Sequence, residues 1–254
     1  MNYFSVVIPT YNASKTIKRV LFSAVGQSYP PTEVVIVDDF SSDNTIEIIT
    51  NFVNAYSGSI KFIVVKHTRN FGVSKTRNDG IANSTGNFIA FLDDDDIWEK
   101  DKLFIINKIL TENPQIKFIS HTYSYPDKKE NYSSELTVIS FSSLLFRNYF
   151  ATPCVIMSSN IGEYFDENMR YSEDFDLWLR IASKTTMFRL DMPLATLGRP
   201  LLSPGGLSGN RFSMRKGQIR TYLKIVRYKK WTLFLVPFLI LLALIKYSIR
   251  HFFR

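Results

Sequence analysis

The 254 residues are enough for one large α/β domain with an appendage, and 45% hydrophobic with 21% charged residues is the balance of a packed core rather than of a disordered chain. The single cysteine, Cys154, excludes an intrachain disulfide and suits a reducing compartment. The formal charge of +8 is uneven: no acidic residue follows Asp191, while twelve Lys or Arg lie from Arg199 to Arg254, so a slightly acidic body carries a strongly basic tail.

The chain opens directly into Asn2-Tyr3-Phe4-Ser5-Val6-Val7-Ile8, which gives no expectation of a secretory signal. Val6-Val7-Ile8, ending at Pro9, predicts a first strand, and an amphipathic helix follows over 15–28. Val34 to Val37 predicts a second strand, ending in Asp38-Asp39; Ser41 or Ser42 can cap a helix over 44–56. Phe62 to Val65 predicts a third strand, 75–83 a short helix, and Phe88 to Leu92 a fourth strand. Continuously apolar strands alternating with helices predict a mostly parallel sheet with helices on both faces, where ligands sit beyond the carboxyl ends of the strands. Three strands end in polar groups that would share that rim: Thr10-Tyr11-Asn12, Asp38-Asp39 and Asp93-Asp94-Asp95-Asp96. Neither GxGxxG nor GxxxxGK[ST] occurs, which disfavours a dinucleotide or Walker-type site. Further on, 98–113 reads as a helix, 114–143 is polar and unassigned, 152–158 reads as a strand, 172–184 as a helix and 187–197 as a strand.

The tail starts with eight Lys or Arg among the twenty residues from Arg211 to Lys230, with Ile219, Tyr222, Leu223 and Val226 on one helical stripe. The oily run from Trp231 to Ile245 then makes roughly 22 Å of helix against about 30 Å of bilayer hydrocarbon. Basic residues flank it on both sides. This predicts a monotopic or re-entrant anchor on an anionic membrane surface rather than a clean single pass. A buried terminal helix or an oligomer contact is the competing reading. No nucleic-acid motif accompanies the charge.

Four consecutive carboxylates repel one another unless something neutralises them. In extended backbone Asp93 and Asp95 point to one side, and carboxylate oxygens beside a diphosphate suit Mg²⁺ or Mn²⁺. A solvated acidic turn capping the helix from Trp98 is the plainer reading. The three histidines lack zinc-ligand spacing. In Ser172-Glu173-Asp174 the two acids project about 100° apart on a helix, so one could act as a base while the other caps or holds a cation. An acidic first helical turn again explains them equally well.

Taken in order, Ser5 to Asn12, Val37 to Thr45, Arg77-Asn78, Phe91 to Trp98 and Ser172-Glu173-Asp174 resemble the motifs of glycosyltransferase family 2, the inverting GT-A family, over about residues 3–184. The resemblance implies a GT-A domain over 1–210, with a nucleotide-binding half to about 98 and an acceptor half beyond it, followed by membrane-associating helices over 211–254. It implies a nucleoside pocket lined by Pro9, Tyr11 and Asp39, with uracil the commonest base, and Arg77 near the diphosphate. It places Asp94 with the donor-binding residues, Asp93 and Asp95 on the metal, and Asp174 as catalytic base. The implied reaction moves a sugar from a nucleotide-sugar, a UDP-sugar above all, to a hydroxyl of a saccharide or lipid-linked saccharide. Its expected setting is bacterial lipopolysaccharide, capsule, exopolysaccharide or glycolipid synthesis at the cytoplasmic face of the inner membrane. Two departures stand out. Phe40 replaces the family's usual Gly, and the usual His is missing before Ser203 to Ser208, so that Arg199 or the Gly205-Gly206 loop would close over the diphosphate. A non-catalytic glycan- or partner-binding module and a sugar nucleotidyltransferase are the rivals, the latter lacking its Gly-rich loop.

Overall fold

The structure is a computed structural model that describes residues 1–125, 132–199 and 209–252. Strands β1 (Phe4–Thr10), β2 (Glu33–Asp38), β3 (Lys61–Lys66) and β4 (Phe88–Phe91) pair in parallel in the order β3-β2-β1-β4. Helices α1 (Ile17–Val25), α2 (Thr45–Ala55) and α3 (Val73–Ala82) connect them. All seven residues of β1 and all six of β2 are buried, as central strands covered on both faces require.

The second half extends the same sheet. It contributes β5 (Ile97–Trp98), α4 (Lys102–Glu112), β6 (Phe118–Ser124), β7 (Leu136–Ile139), α5 (Phe141–Phe146), β8 (Val155–Ser158), α6 (Glu173–Ala182) and β9 (Met187–Thr196). The order continues as β4-β8-β6-β9-β5, with β7 also on β9. β8 lies antiparallel to β4 and β6, β6 and β9 run parallel, and β5 and β7 run against β9. The sheet is therefore mixed, with its parallel block in the first half.

Strand alternation divides the core into two layers. Val6 and Ile8 face the layer holding Val20 and Leu21 of α1, Ile49 of α2, and Leu103 and Ile106 of α4. Val7, Val35 and Phe91 face the other, with Leu144 of α5 and Leu177 and Trp178 of α6. Trp178 is fully buried against the rings of Phe91, Phe118 and Phe165. Helices α7 (Arg211–Ile225) and α8 (Val236–Phe252), joined through a 3₁₀ turn at Lys230–Phe234, close this second layer with Tyr222, Ile225, Val236, Leu239 and Ala243. Among the described residues no helix is long and apolar enough to cross a membrane.

Two elements differ from the sequence-based expectation. Trp98 does not begin a helix: it lies in β5 opposite Ala195, its indole N–H donates to the Pro153 carbonyl at 3.0 Å, and α4 starts at Lys102. The span 114–143 contains β6 and β7. β6 carries Ser120 and His121 fully inside the sheet, so no apolar alternation marks it.

Candidate active site

The carboxyl ends of β1 and β2 are tied together where polar residues replace apolar ones. Asp39 N donates to the Thr10 carbonyl at 2.8 Å, Asn12 N to Ser41 Oγ at 2.9 Å, and Ser42 N to Asn12 Oδ1 at 2.8 Å. Phe40 has φ 67°, the left-handed region where a Gly would sit without strain. The turn is thus kept despite the missing Gly, at roughly 1–2 kcal/mol for a residue with a Cβ.

Asp39 is buried and accepts three hydrogen bonds. Phe71 N reaches Oδ1 at 2.8 Å, Gly72 N reaches Oδ2 at 2.8 Å, and His67 Nδ1 lies 2.7 Å from Oδ1. The other His67 nitrogen lies 2.8 Å from Asp79 Oδ2, so an imidazole is clamped between two carboxylates.

Helix α3 links this corner to the next. Gly72 precedes its first turn, and Arg77, one turn further along, forks between two acids, donating to Asp93 Oδ1 and Glu173 Oε1 at 2.9 Å each. Burial opposes the guanidinium charge, but Asp93 and Glu173 outweigh it and hold the Arg77 pKa above its usual range. Arg77 therefore joins the acidic quartet to the Glu-Asp pair, 80 residues apart in sequence.

The quartet corrects one premise of the sequence reading. Asp93 to Asp96 form a turn closed by Asp96 N to the Asp93 carbonyl, not an extended segment with two carboxylates on one side. Mutual repulsion is relieved by giving each acid its own partner. Asp93 takes Arg77; Asp94 Oδ2 accepts from Tyr11 N at 2.9 Å; Asp95 Oδ2 accepts from Arg199 Nε at 2.6 Å; Asp96 Oδ1 accepts from Gly198 N at 2.8 Å. A Cβ at Gly198 would collide with the Asp95 carbonyl, which also accepts from Arg19 at 2.9 Å. Burial, with the neighbouring aspartates adding, pushes Asp94 up to about 7 and Asp96 up to about 8.

Such a turn fits a hard divalent cation. Its donors are all carboxylate oxygens, and Asp93 and Asp95 each commit one oxygen to an arginine and keep the other. Among the described residues no three His, Cys or carboxylate groups form a closed metal cage.

Ser172, in left-handed conformation with φ 56°, precedes α6, and Glu173 and Asp174 diverge as neighbours in its first turn. Glu173 goes to Arg77, while Asp174 Oδ2 accepts from Asn148 Nδ2 at 3.0 Å. Burial pushes Glu173 up to about 7, reinforced by Asp174, and burial likewise raises Asp174.

At this rim Tyr11 bonds to Asp94 and Arg77 to Asp93 and Glu173, Asp39 is held by the Gly72 N–H at the head of the helix that carries Arg77, buried Pro9 lies at the end of β1 just before Tyr11, and Asp174 follows Glu173 in α6. Sequence reasoning missed His67, Asp79, Asn148 and the bridging role of Glu173. His67 follows β3 without a motif, and only the fold brings it to Asp39. Arg199 sits on Asp95, and the Gly205-Gly206 loop lies outside the described residues. An open groove of about 600 Å³ on α3, lined by Lys75, Asp79, Phe165 and Glu167, meets the site described above at Asp79, the outer carboxylate of the His67 clamp.

Residues 5–173 match the family model described as glycosyl transferase family 2. The chain belongs to that family. This family 2 chain is 34% identical over 199 residues to an uncharacterized glycosyltransferase of Rickettsia conorii, an alignment covering 75% of the chain and 32% of the relative, so the chain spans about a third of that relative's length. It is 30% identical over 220 residues to the Escherichia coli UDP-Glc:alpha-D-GlcNAc-diphosphoundecaprenol beta-1,3-glucosyltransferase WfaP, covering 84% of the chain and 82% of the relative. The mannosyltransferase PcManGT of Pyrobaculum calidifontis, solved with GDP-Man and Mn²⁺, superposes with a TM-score of 0.69 at 18% identity, over 95% of this chain and 73% of that one. The fold is accordingly the GT-A-like α/β fold, with a mixed, partly parallel sheet.

Proposed function

We propose that the chain is an inverting glycosyltransferase, transferring a sugar from a UDP-sugar to a hydroxyl of a lipid-linked saccharide during assembly of a bacterial surface polysaccharide. The observation carrying this reading is the Arg77 fork, which brings the acidic turn and the Glu173-Asp174 pair to one edge of the sheet. That edge offers a cationic group, a cation-competent turn and a candidate base to one substrate.

The residues divide the work. The Asp39 carboxylate accepts three protein donors, leaving room for one more, which suits the imino N–H of uracil. Arg77 supplies positive charge where the diphosphate departs. Asp93 and Asp95 would hold Mg²⁺ or Mn²⁺, which neutralises charge on the leaving diphosphate. Asp174 takes the proton of the acceptor hydroxyl, whose oxygen bonds to the anomeric carbon as the bond to the UDP oxygen breaks on the opposite face. A carboxylate whose pKa burial has raised is a stronger base for that step. The name of WfaP, which pairs a UDP-sugar with a diphosphoundecaprenol acceptor, supports this substrate class.

The test is a donor screen read by nucleotide release, using UDP-, GDP- and dTDP-sugars with bacterial lipid extract. UDP release with an inverted anomeric product supports the proposal. Absence of turnover across the panel, or a retained configuration, overturns it.

A further inference from the structure

We infer that α8 and the 3₁₀ turn before it lie flat on an anionic bilayer, as a monotopic platform that never crosses it. The inference deepens the lipid-linked acceptor reading and rests on it for its purpose, but it has its own evidence.

From Val236 to Ile245 helix α8 is apolar all round yet only half covered by protein. Val236, Leu239 and Ala243 are buried in the second core layer, and Lys246 Nζ donates to the Phe146 carbonyl at 3.2 Å. On the opposite stripe Phe238, Leu241, Leu244 and Ile245 are open to solvent, and the preceding turn adds Trp231, Leu233 and Phe234, the last 85% exposed. Single exposed apolar residues are ordinary, but seven within the fifteen residues from Trp231 to Ile245 mark a surface made for an apolar partner.

Charge identifies that partner. Exposed Lys230 begins the 3₁₀ turn that carries part of the ridge, exposed Lys216 and Arg227 lie on and just after α7, and no acidic residue follows Asp191. The acids that neutralise Lys224, Asp166 and Asp176, come from the body and lie inward. Lysines around an aromatic-rich ridge match anionic headgroups above an acyl layer. A protein interface of this composition is disfavoured, because lysine is depleted from interfaces. A crossing is disfavoured too. The seventeen residues of α8 reach roughly 25 Å, short of the hydrocarbon thickness, and insertion would strip the inward stripe from the core.

The platform is joined to the site. Met214 of α7 accepts a hydrogen bond through its carbonyl from Ser172 Oγ at 2.9 Å, and Gly217 packs so closely on the Tyr171 carbonyl that a Cβ would collide with it. The turn that starts the Asp174 helix is thereby fixed to helices lying on the membrane. Docking sets the position of the base relative to the headgroup layer, where the diphosphate of a lipid-linked acceptor resides.

The experiment is co-sedimentation of the full chain with phosphatidylcholine vesicles and with vesicles also containing phosphatidylglycerol, alongside calorimetric UDP binding. The chain is expected to sediment with the anionic vesicles only, and less in high salt. Phe234→Ser with Leu241→Ser should abolish sedimentation, and Arg227→Gln or Lys230→Gln should weaken it about five-fold each. Phe104→Ser, exposed on α4 in the other layer, should sediment like the unaltered chain. Circular dichroism matching the parent shows that the variants fold. An unaltered chain that stays in the supernatant overturns the inference. So does a double variant that sediments normally, or a dimer in light scattering that the same double variant dissociates. Vesicle binding without UDP binding would leave the platform standing and refute the donor reading instead.

Discussion

Replacing His67 with Leu tests whether the imidazole clamped between Asp39 and Asp79 positions the carboxylate proposed to bind the nucleoside. Both contacts are short, 2.7 and 2.8 Å, and the His67 side chain is only 6% exposed, so solvent does little to replace them. A hydrogen bond to a charged group contributes about 1.5–3 kcal/mol, and Leu supplies no donor. Asp39 would keep Phe71 N and Gly72 N but lose its one side-chain partner, leaving Oδ1 a single bond and the carboxylate freer to shift. If most of the loss falls on the carboxylate's orientation, the Kd for UDP rises about ten- to a hundred-fold, while kcat at saturating donor changes less than about three-fold. Calorimetry with UDP, paired with steady-state kinetics, separates the two. Asp79→Asn should give a smaller effect in the same direction, and the double variant should fall short of the sum because both act through one ring. A His67→Leu chain with a lowered Tm but unchanged UDP affinity would refute the argument and make the ring merely structural.

Other consequences can be measured directly. Asp174→Asn should lose about 10²–10⁴ in kcat while binding UDP normally, and near-normal turnover would remove it from the mechanism. In the cation-free chain, Glu173 has its folded pKa raised to about 7, so the stability it contributes is present below its ordinary value of 4.5 and lost as pH rises towards and through 7. Thermal melts should therefore fall by several degrees between about pH 5 and pH 8, Asp94 and Asp96 acting in the same direction, and Glu173→Gln should remove part of that slope. Phe40→Gly should raise stability by up to about 1 kcal/mol by relieving the left-handed φ, and a lower Tm would show that its half-exposed ring makes contacts of greater value.

Much of the first half was legible because its physics is local. Val6 to Ile8 and Val34 to Val37 could only be central strands, and the polar residues that end them had to gather at one rim. The divergence of Glu173 and Asp174 followed from helical geometry alone. What stayed hidden depended on partners far away in sequence. His67 gains meaning only when β3 sits beside β2, and Trp98 is a strand residue only because β9 returns to pair with it. The conformation of the acidic quartet was misjudged for the same reason: Gly198 N and Arg199, about a hundred residues on, help decide where its carboxylates point. In the tail, sequence showed basic and apolar character, but which stripe faces the protein was set by the packing of α7 on α6 and of α8 on α7.

The account stands on a single cation-assisted site for a nucleoside diphosphate, formed by Asp39, Arg77 and the acidic turn. Calorimetric titration of UDP into the chain, with Mn²⁺ and then with excess EDTA, tests it most directly. Binding should weaken at least about ten-fold in EDTA and fall similarly in Asp95→Asn with Mn²⁺ present. Equal affinity under all three conditions would contradict it.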